Sequence, residues 1–208
     1  MCGLTGLLIG KRDHSETAVL ETIQRMTNTL TNRGPDAFGN LVEGPIAFGH
    51  RRLSILDLSE AGTQPMRYEP SGLILTYNGE IYNFCELRRS LESLGHTDWR
   101  GHSDTEVILH AYAEWGLDGL KQLEGIFALA LWDLSHKRLV LMRDRLGVKP
   151  LFYGKSTYGL AFGSEIKAVL AAGGVDSSLD DQSFSEYLWY GNSYQDRTFY
   201  KGVRALEP

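Results

Sequence analysis

The sequence predicts an α+β fold in which helices pack against antiparallel sheets. Segments typical of strands occur in clusters separated by Gly and Pro, and they do not alternate regularly with helices as in a doubly wound parallel sheet. The chain has 208 residues, of which 42% are hydrophobic and 23% are charged, and these are ordinary values for a globular protein. We therefore expect one domain of strands and paired helices.

The N-terminal part of the chain combines predicted strands with one amphipathic helix. Residues 3–10 form a short apolar run bounded by glycine, which predicts a buried strand. Ser15 is a typical N-cap residue, and the apolar residues after it follow helical spacing: Val19, Leu20, Ile23, Met26 and Leu30. Further strands are predicted at 38–42, 46–50 and 73–77.

Two helices are predicted after the strand at 73–77. Asn83 with Glu86, and Ser103 with Glu106, match the capping-box pattern, and each is followed by apolar residues at helical spacing. Gly95 and Gly116 are the expected stops. The remaining predicted elements are strands at 126–132, 138–142 and 160–162, followed by a helix at 164–172.

Composition narrows the classes of partner. The net charge is −5 without a basic block, which argues against nucleic acid or an anionic membrane surface, so we expect a small-molecule partner. The two cysteines, Cys2 and Cys85, form neither a disulfide framework nor a CxxC pair, as expected for a reducing compartment. Apolar runs are too short for a signal sequence or a membrane span, so we expect a cytoplasmic protein.

Cys2 is the most informative residue of the sequence. If Met1 is removed, Cys2 carries both its thiol and the α-amine of the chain, which titrates at about pH 8 and can take the thiol proton directly or through one water. The small side chains of Cys2 and Gly3 suit methionine removal. Many chains also have an early cysteine by chance, so this position alone leaves catalysis open.

Five segments have more unusual chemistry than a hydrophobic core requires: 1–3 (MCG), 33–36 (RGPD), 50–55 (HRRLSI), 78–83 (NGEIYN) and 102–106 (HSDTE). In this order they resemble the glutaminase domain of class II glutamine amidotransferases, and within that family the domain of glutamine-hydrolysing asparagine synthetases. The resemblance extends to 125–133, 143–150 and 163–167, so it covers nearly the whole chain.

The resemblance implies a four-layer αββα sandwich, the N-terminal nucleophile (Ntn) hydrolase fold. It implies a glutaminase domain at residues 2–190 and, at 191–208, a connecting segment toward a synthetase domain that lies outside this chain. The implied function is hydrolysis of glutamine to glutamate and ammonia, which supplies ATP-dependent asparagine synthesis from aspartate in the full-length protein. Two alternatives stay open: an amidotransferase that feeds a different acceptor, and a catalytically idle regulatory module of the same fold.

By the same resemblance, Cys2 forms a thioester with the substrate acyl group. The Asn78 side-chain amide and the Gly79 backbone N–H would bind the oxyanion that forms during attack. An Asn-Gly pair is also a common hairpin turn, and a tight turn could present both donors. The turn and the oxyanion site are therefore compatible interpretations of Asn78 and Gly79.

The resemblance assigns the remaining substrate contacts to charged residues. Arg52 would bind the α-carboxylate of glutamine through its planar guanidinium, with Ile55 supplying backbone contacts. Glu80 and Asp104 would bind the α-ammonium. Asp104 could equally be a helix N-cap, since it lies between Ser103 and Glu106.

Other residues are expected to be structural. Arg51 would face away from Arg52 on a strand, as a surface arginine, and Arg33 with Asp36 would fix a turn near the pocket. We expect no metal and no cofactor in this domain, because the six histidines lack metal-ligand spacing; ATP and Mg²⁺ belong to the synthetase domain. The expected partners are glutamine and a synthetase domain, in cis or in trans, as ammonia acceptor.

Overall fold

The computed structural model describes residues 1–10, 14–53 and 62–208, and it contains two antiparallel sheets. The strands are β1 (Gly3–Ile9), β2 (Ala37–Glu43), β3 (Ile46–Arg52), β4 (Met66–Tyr68), β5 (Leu73–Ile81), β6 (Gly125–Asp133), β7 (Arg138–Arg143), β8 (Phe152–Ser156), β9 (Gly159–Gly163) and β10 (Val203–Ala205). Six strands form one sheet in the order β10-β8-β9-β1-β3-β2, and four form the other in the order β4-β5-β6-β7.

The helices in the described part of the chain are five to thirteen residues long. They are α1 (Glu16–Asn28), α2 (Phe84–Ser93), α3 (Asp104–Trp115), α4 (Leu117–Lys121), α5 (Ile166–Leu170) and α6 (Asp181–Tyr190). Helices α1 and α5 pack on the six-stranded sheet, while α3 packs on the four-stranded sheet with α2 beside it. The resulting order of layers is helix, sheet, sheet, helix, as the predicted αββα sandwich requires.

Three clusters of buried apolar side chains fill the three interfaces between these layers. The cluster between the sheets includes Leu4, Phe48, Ile74, Trp132 and Phe162, so both sheets contribute to it. The other two clusters join each sheet to its helices. Burial of this apolar surface is the main force that holds the layers together.

Local signals explain the helix boundaries. Ser15 is the N-cap of α1, and its hydroxyl accepts a hydrogen bond from Ala18 N at 3.2 Å, as predicted. Gly116 ends α3 with a φ of 59°, a conformation that glycine adopts without a steric penalty. The helix predicted at 164–172 is shorter than expected and spans α5 only.

Both capping-box predictions place the helix starts correctly, but the side chains make other bonds. Asn83 is the N-cap of α2, yet its amide bonds Gln122 O and Glu124 N. Ser103 is the N-cap of α3 and makes no side-chain cap bond. Glu106 instead accepts hydrogen bonds from two backbone N–H groups in the segment before α3.

The last part of the chain contributes to the six-stranded sheet. Strand β10 pairs with β8, and Leu206 N donates to Leu151 O at 2.8 Å. The division of the chain at residue 190 stays a prediction. Among the described residues, no helix combines the length and apolarity needed to cross a membrane.

Candidate active site

Cys2 lies immediately before β1, at the strand end that the sequence predicts. Its Sγ lies 3.4 Å from Leu53 N and 3.7 Å from Leu53 O, next to the end of β3. Arg33 Nε donates to Cys2 O at 3.0 Å, and Arg33 Nη1 pairs with Glu165 at 3.2 Å. The turn containing Arg33 therefore holds the backbone of Cys2 against α5.

A cavity of about 830 Å³ opens beside Cys2. Its volume is within the usual range for small-molecule sites, roughly 300 to 1,000 Å³. The predicted site residues that line it are Cys2, Arg52, Asn78, Gly79, Glu80 and Asp104. Ile55 lies outside the described residues. The sequence-predicted residues that the structure describes thus meet at one cavity.

Asn78 and Gly79 lie within strand β5, so the predicted hairpin turn is wrong. Gly79 pairs with Phe127 on β6, and the backbones approach closely there: a Cβ on Gly79 would lie 2.3 Å from Ile126 O. Glycine lets the strand continue beside β6 up to Ile81.

One edge of β5 faces the cavity. Strand β4 pairs with β5 only as far as Leu75, and beyond it Tyr77 N donates to Gln64 Oε1 at 2.6 Å and Ile81 N to Asp104 Oδ2 at 3.0 Å. In an antiparallel strand alternate residues direct their N–H groups to the same side. The Gly79 N–H therefore points toward this edge, between two N–H groups that side chains bind.

The Asn78 side chain offers an unused donor. Asn78 is buried, and among the described residues its Nδ2 has no hydrogen-bond partner. A buried donor without a partner costs about 1 to 3 kcal/mol, so native structures contain few of them. At a cavity wall, such a donor can bind an atom of a ligand.

Asp104 is the first residue of α3 and does not serve as its N-cap, so that interpretation is wrong. Its Oδ2 accepts hydrogen bonds from the Tyr77 hydroxyl at 2.7 Å and from Ile81 N. Burial, and then the Asp104 carboxylate, raise the pKa of Tyr77, which keeps the hydroxyl protonated as a donor. Glu80, on the same cavity wall, is exposed.

His50 also lines the cavity. Its Nε2 donates to Tyr77 O at 3.0 Å, and the ring is buried. Burial lowers the pKa of His50 to about 4, with a smaller effect from the Arg52 guanidinium. His50 is therefore neutral near pH 7 and supports the strand that carries Asn78.

The two neighbouring arginines of β3 face opposite ways, as predicted. Arg52 lines the cavity, and a Cβ on Gly62 would lie 2.5 Å from its Nη2, so glycine leaves room for the guanidinium. Arg51 is half-buried against α1, where its Nη2 donates to Asn28 Oδ1 at 2.6 Å.

Comparison with known proteins addresses the family. A family model described as "Glutamine amidotransferase domain" matches residues 1–208. The chain is 42% identical over 211 residues to "Asparagine synthetase [glutamine-hydrolyzing] 3" of Bacillus subtilis, covering all of this chain and 34% of that protein. It thus spans about a third of the length of this relative.

Two solved structures have the same fold. One is a glutamine phosphoribosylpyrophosphate amidotransferase from B. subtilis, with a TM-score of 0.68 and 18% identity over 99% of this chain and 49% of that one. The other is described as the allosteric regulatory enzyme of purine biosynthesis, with a TM-score of 0.71 and 20% identity over 100% of this chain and 45% of that one. The predicted Ntn hydrolase sandwich is confirmed, and the chain belongs to the glutamine amidotransferase domain family.

Proposed function

We propose that this domain hydrolyses glutamine to glutamate and ammonia through a thioester on Cys2. The observation that carries the proposal is the buried, unused Asn78 Nδ2 donor in the wall of the cavity that Cys2 also lines. A thiol nucleophile and a donor without a ground-state partner are two of the groups that acyl transfer uses.

Attack begins once Met1 has been removed. The free α-amine of Cys2 takes the thiol proton, and Sγ forms a bond to the side-chain amide carbon of glutamine. The carbonyl oxygen becomes an oxyanion, which accepts hydrogen bonds from Asn78 Nδ2 and the Gly79 N–H. These donors are fixed by strand β5, so little reorganisation accompanies the reaction.

Collapse of the tetrahedral intermediate breaks the carbon–nitrogen bond. The protonated α-amine of Cys2 returns its proton to the leaving nitrogen, and ammonia departs. Water then attacks the thioester, with the same amine as base. Glutamate leaves and the thiol is restored, so the reaction needs neither an oxidant nor a metal ion.

The charged residues give the cavity its substrate preference. Arg52 binds the α-carboxylate of glutamine in a bidentate manner, and Glu80 and Asp104 bind the α-ammonium. Support for this assignment comes from the positions of all three at one cavity. An amide without the amino-acid group would lack the ionic contacts that these side chains can make with an α-carboxylate and an α-ammonium, which disfavours it as a substrate.

In the full-length protein, we propose that the ammonia serves ATP-dependent synthesis of asparagine from aspartate. Support comes from the name of the relative that is 42% identical. The acceptor domain, with its ATP and Mg²⁺, would follow a connecting segment at 191–208 or act in trans. The test is asparagine formation by the full-length protein. In the wild type, glutamine should serve as the nitrogen source. In Cys2→Ala, glutamine should fail and only ammonium salts should support asparagine formation.

The glutaminase step is tested on the processed chain with glutamine, without ATP or metal. We expect glutamate and ammonia in equal amounts, and none from Cys2→Ala with an unchanged circular dichroism spectrum. A form that retains Met1 should also be inactive, because its Cys2 nitrogen is an amide. Activity of Cys2→Ala would show that the thiol is not the nucleophile. Activity of the form that retains Met1 would show that the α-amine is not the base.

A further inference from the structure

Two histidines and one aspartate form a cluster next to the four-stranded sheet, outside the cavity. His96 and Asp98 lie in the segment between α2 and α3, and His110 lies on α3. One potential ligand atom from each residue lies within 4.8 Å of the others. His96 Nδ1 is 2.9 Å from His110 Nδ1, which is 4.0 Å from Asp98 Oδ1.

We propose that His96, Asp98 and His110 form a zinc site with a structural role. Around a tetrahedral Zn²⁺ with bonds of about 2.0 to 2.2 Å, neighbouring ligand atoms lie about 3.3 Å apart. The observed 2.9 and 4.0 Å separations lie on either side of this value, so small side-chain movements would complete the geometry. Two imidazoles and one carboxylate are ligands that Zn²⁺ accepts, and water would take the fourth position.

Neighbouring groups already orient the proposed ligands. His96 Nε2 is 3.0 Å from Glu114 Oε2, so this nitrogen carries the proton and the Nδ1 lone pair faces the cluster. Trp99 stacks on the His110 ring with a centroid distance of 4.1 Å. A carboxylate behind a ligating histidine is the usual outer partner of zinc sites.

A hydrogen-bonded histidine pair does not fully account for the arrangement. The contact between His96 and His110 involves Nδ1 of each ring and no atom of Asp98. Asp98 interacts with the side chain of Tyr68, and its carboxylate also lies 4.0 Å from Nδ1 of the buried His110 ring, on the side where His96 approaches. A cation would use all three residues.

The position of the site suggests what a metal would do. The segment that carries His96 and Asp98 continues to Asp104, and Glu106 accepts hydrogen bonds from Arg100 N and Gly101 N. None of the three proposed ligands lines the cavity beside Cys2. The ion would therefore fasten the start of this segment to α3, and it would take no part in the chemistry.

The test is a Zn²⁺ titration of the tag-free, chelator-treated chain by calorimetry. We expect one equivalent to bind and to raise Tm. Asp98→Asn should weaken binding by at least about tenfold, since even outer partners of zinc ligands typically contribute that much. Asp98 is half exposed, so this variant should fold, which circular dichroism checks. Glu114→Gln should weaken binding by about tenfold.

His136→Gln is the matched control. His136 forms another histidine–carboxylate pair, 2.7 Å from Asp133, but without a second histidine, so its loss should not change the affinity for zinc. Absence of binding to the wild type would overturn the proposal. Equal affinity in the wild type, Asp98→Asn and His96→Gln would also overturn it, because the ion would then lie elsewhere.

Discussion

Two adjoining walls of the cavity differ in how their polar groups are used. The bonded wall consists of Tyr77, His50, Gln64 and Asp104, which hold one another through hydrogen bonds of 2.6 to 3.0 Å. The donor wall consists of Asn78 and Gly79, and Asn78 Nδ2 has no partner among the described residues. Both walls include residues of strand β5. The hydrogen bonds of the bonded wall can therefore keep Asn78 and Gly79 in a fixed position relative to the substrate.

The difference indicates that the two walls have different roles in the protein. Groups that are satisfied before substrate binds contribute to the fold in every state of the reaction. A donor that gains its partner only in the transition state lowers the barrier without strengthening ground-state binding. The bonded wall should therefore affect stability and substrate affinity, and the donor wall should affect kcat.

Among substitutions in the two walls, Asn78→Ala should have the largest effect. Removal of one oxyanion donor typically raises the barrier by about 3 to 4 kcal/mol, so we expect kcat to fall by about 10²- to 10³-fold with little change in KM. Steady-state glutaminase kinetics measure both. Asn83→Ala, which removes an amide outside the cavity, is the control, and an equal loss of kcat there would mean that Asn78 acts through the fold.

Acid should weaken the bonded wall. His50 has a pKa of about 4 when folded and 6.5 as its ordinary value, so between these values the unfolded chain binds more protons. The stabilisation is complete above pH 6.5 and is lost as pH falls toward 4, by about 3 kcal/mol.

Denaturant unfolding at several pH values checks this prediction. His50→Gln can keep a donor toward Tyr77 O but cannot titrate, so its unfolding free energy should fall less between pH 6.5 and 4. Parallel curves for the wild type and the variant would show that His50 does not control this region.

Arg52→Ala should raise KM for glutamine by about 30-fold, or about 2 kcal/mol, with a small change in kcat. The α-carboxylate is bound equally in the ground and transition states, so uniform binding is lost. Arg52→Lys should restore little, because an ammonium group lacks the bidentate geometry. An unchanged KM would mean that the substrate is an amide without an α-carboxylate.

Tyr77→Phe should have the smallest effect. The Asp104 carboxylate loses one of two donors and keeps Ile81 N, so we expect a loss of about 1 kcal/mol and a rise in KM of about fivefold. Tyr112→Phe is the matched control, because its hydroxyl bonds the buried Asp133 at 3.1 Å, away from the cavity. The control should lose stability alone; a similar rise in its KM would contradict a local role for Tyr77.

Local patterns predicted much of this molecule. Ser15 identifies the start of α1, and short apolar runs between Gly and Pro residues, together with helical spacing, identify most of the other elements, because these signals depend on neighbouring residues. The resemblance to the glutaminase domain also assigned Cys2, Arg52, Asn78, Glu80 and Asp104 to one site, and in the structure all five line one cavity. Their individual roles remain predictions.

The errors concern contacts between distant parts of the chain. Asn78-Gly79 matches a turn pattern, but pairing with β6, about fifty residues later, extends the strand through it. The spacing of His96 and His110 likewise does not show that the two rings meet, which the packing of α3 beside α2 brings about. Sequence spacing does not report such contacts, because they depend on tertiary packing.

The central claim is that Cys2 is the nucleophile. The most direct test is to quench the processed chain with acid during turnover with glutamine. Mass spectrometry of the intact protein and of its peptides then shows where a glutamyl group is attached. The account predicts one glutamyl group on the N-terminal peptide, at Cys2, that hydroxylamine releases and that Cys2→Ala never acquires. Glutamate formed at an undiminished rate by Cys2→Ala, or a glutamyl group on another residue, would contradict it.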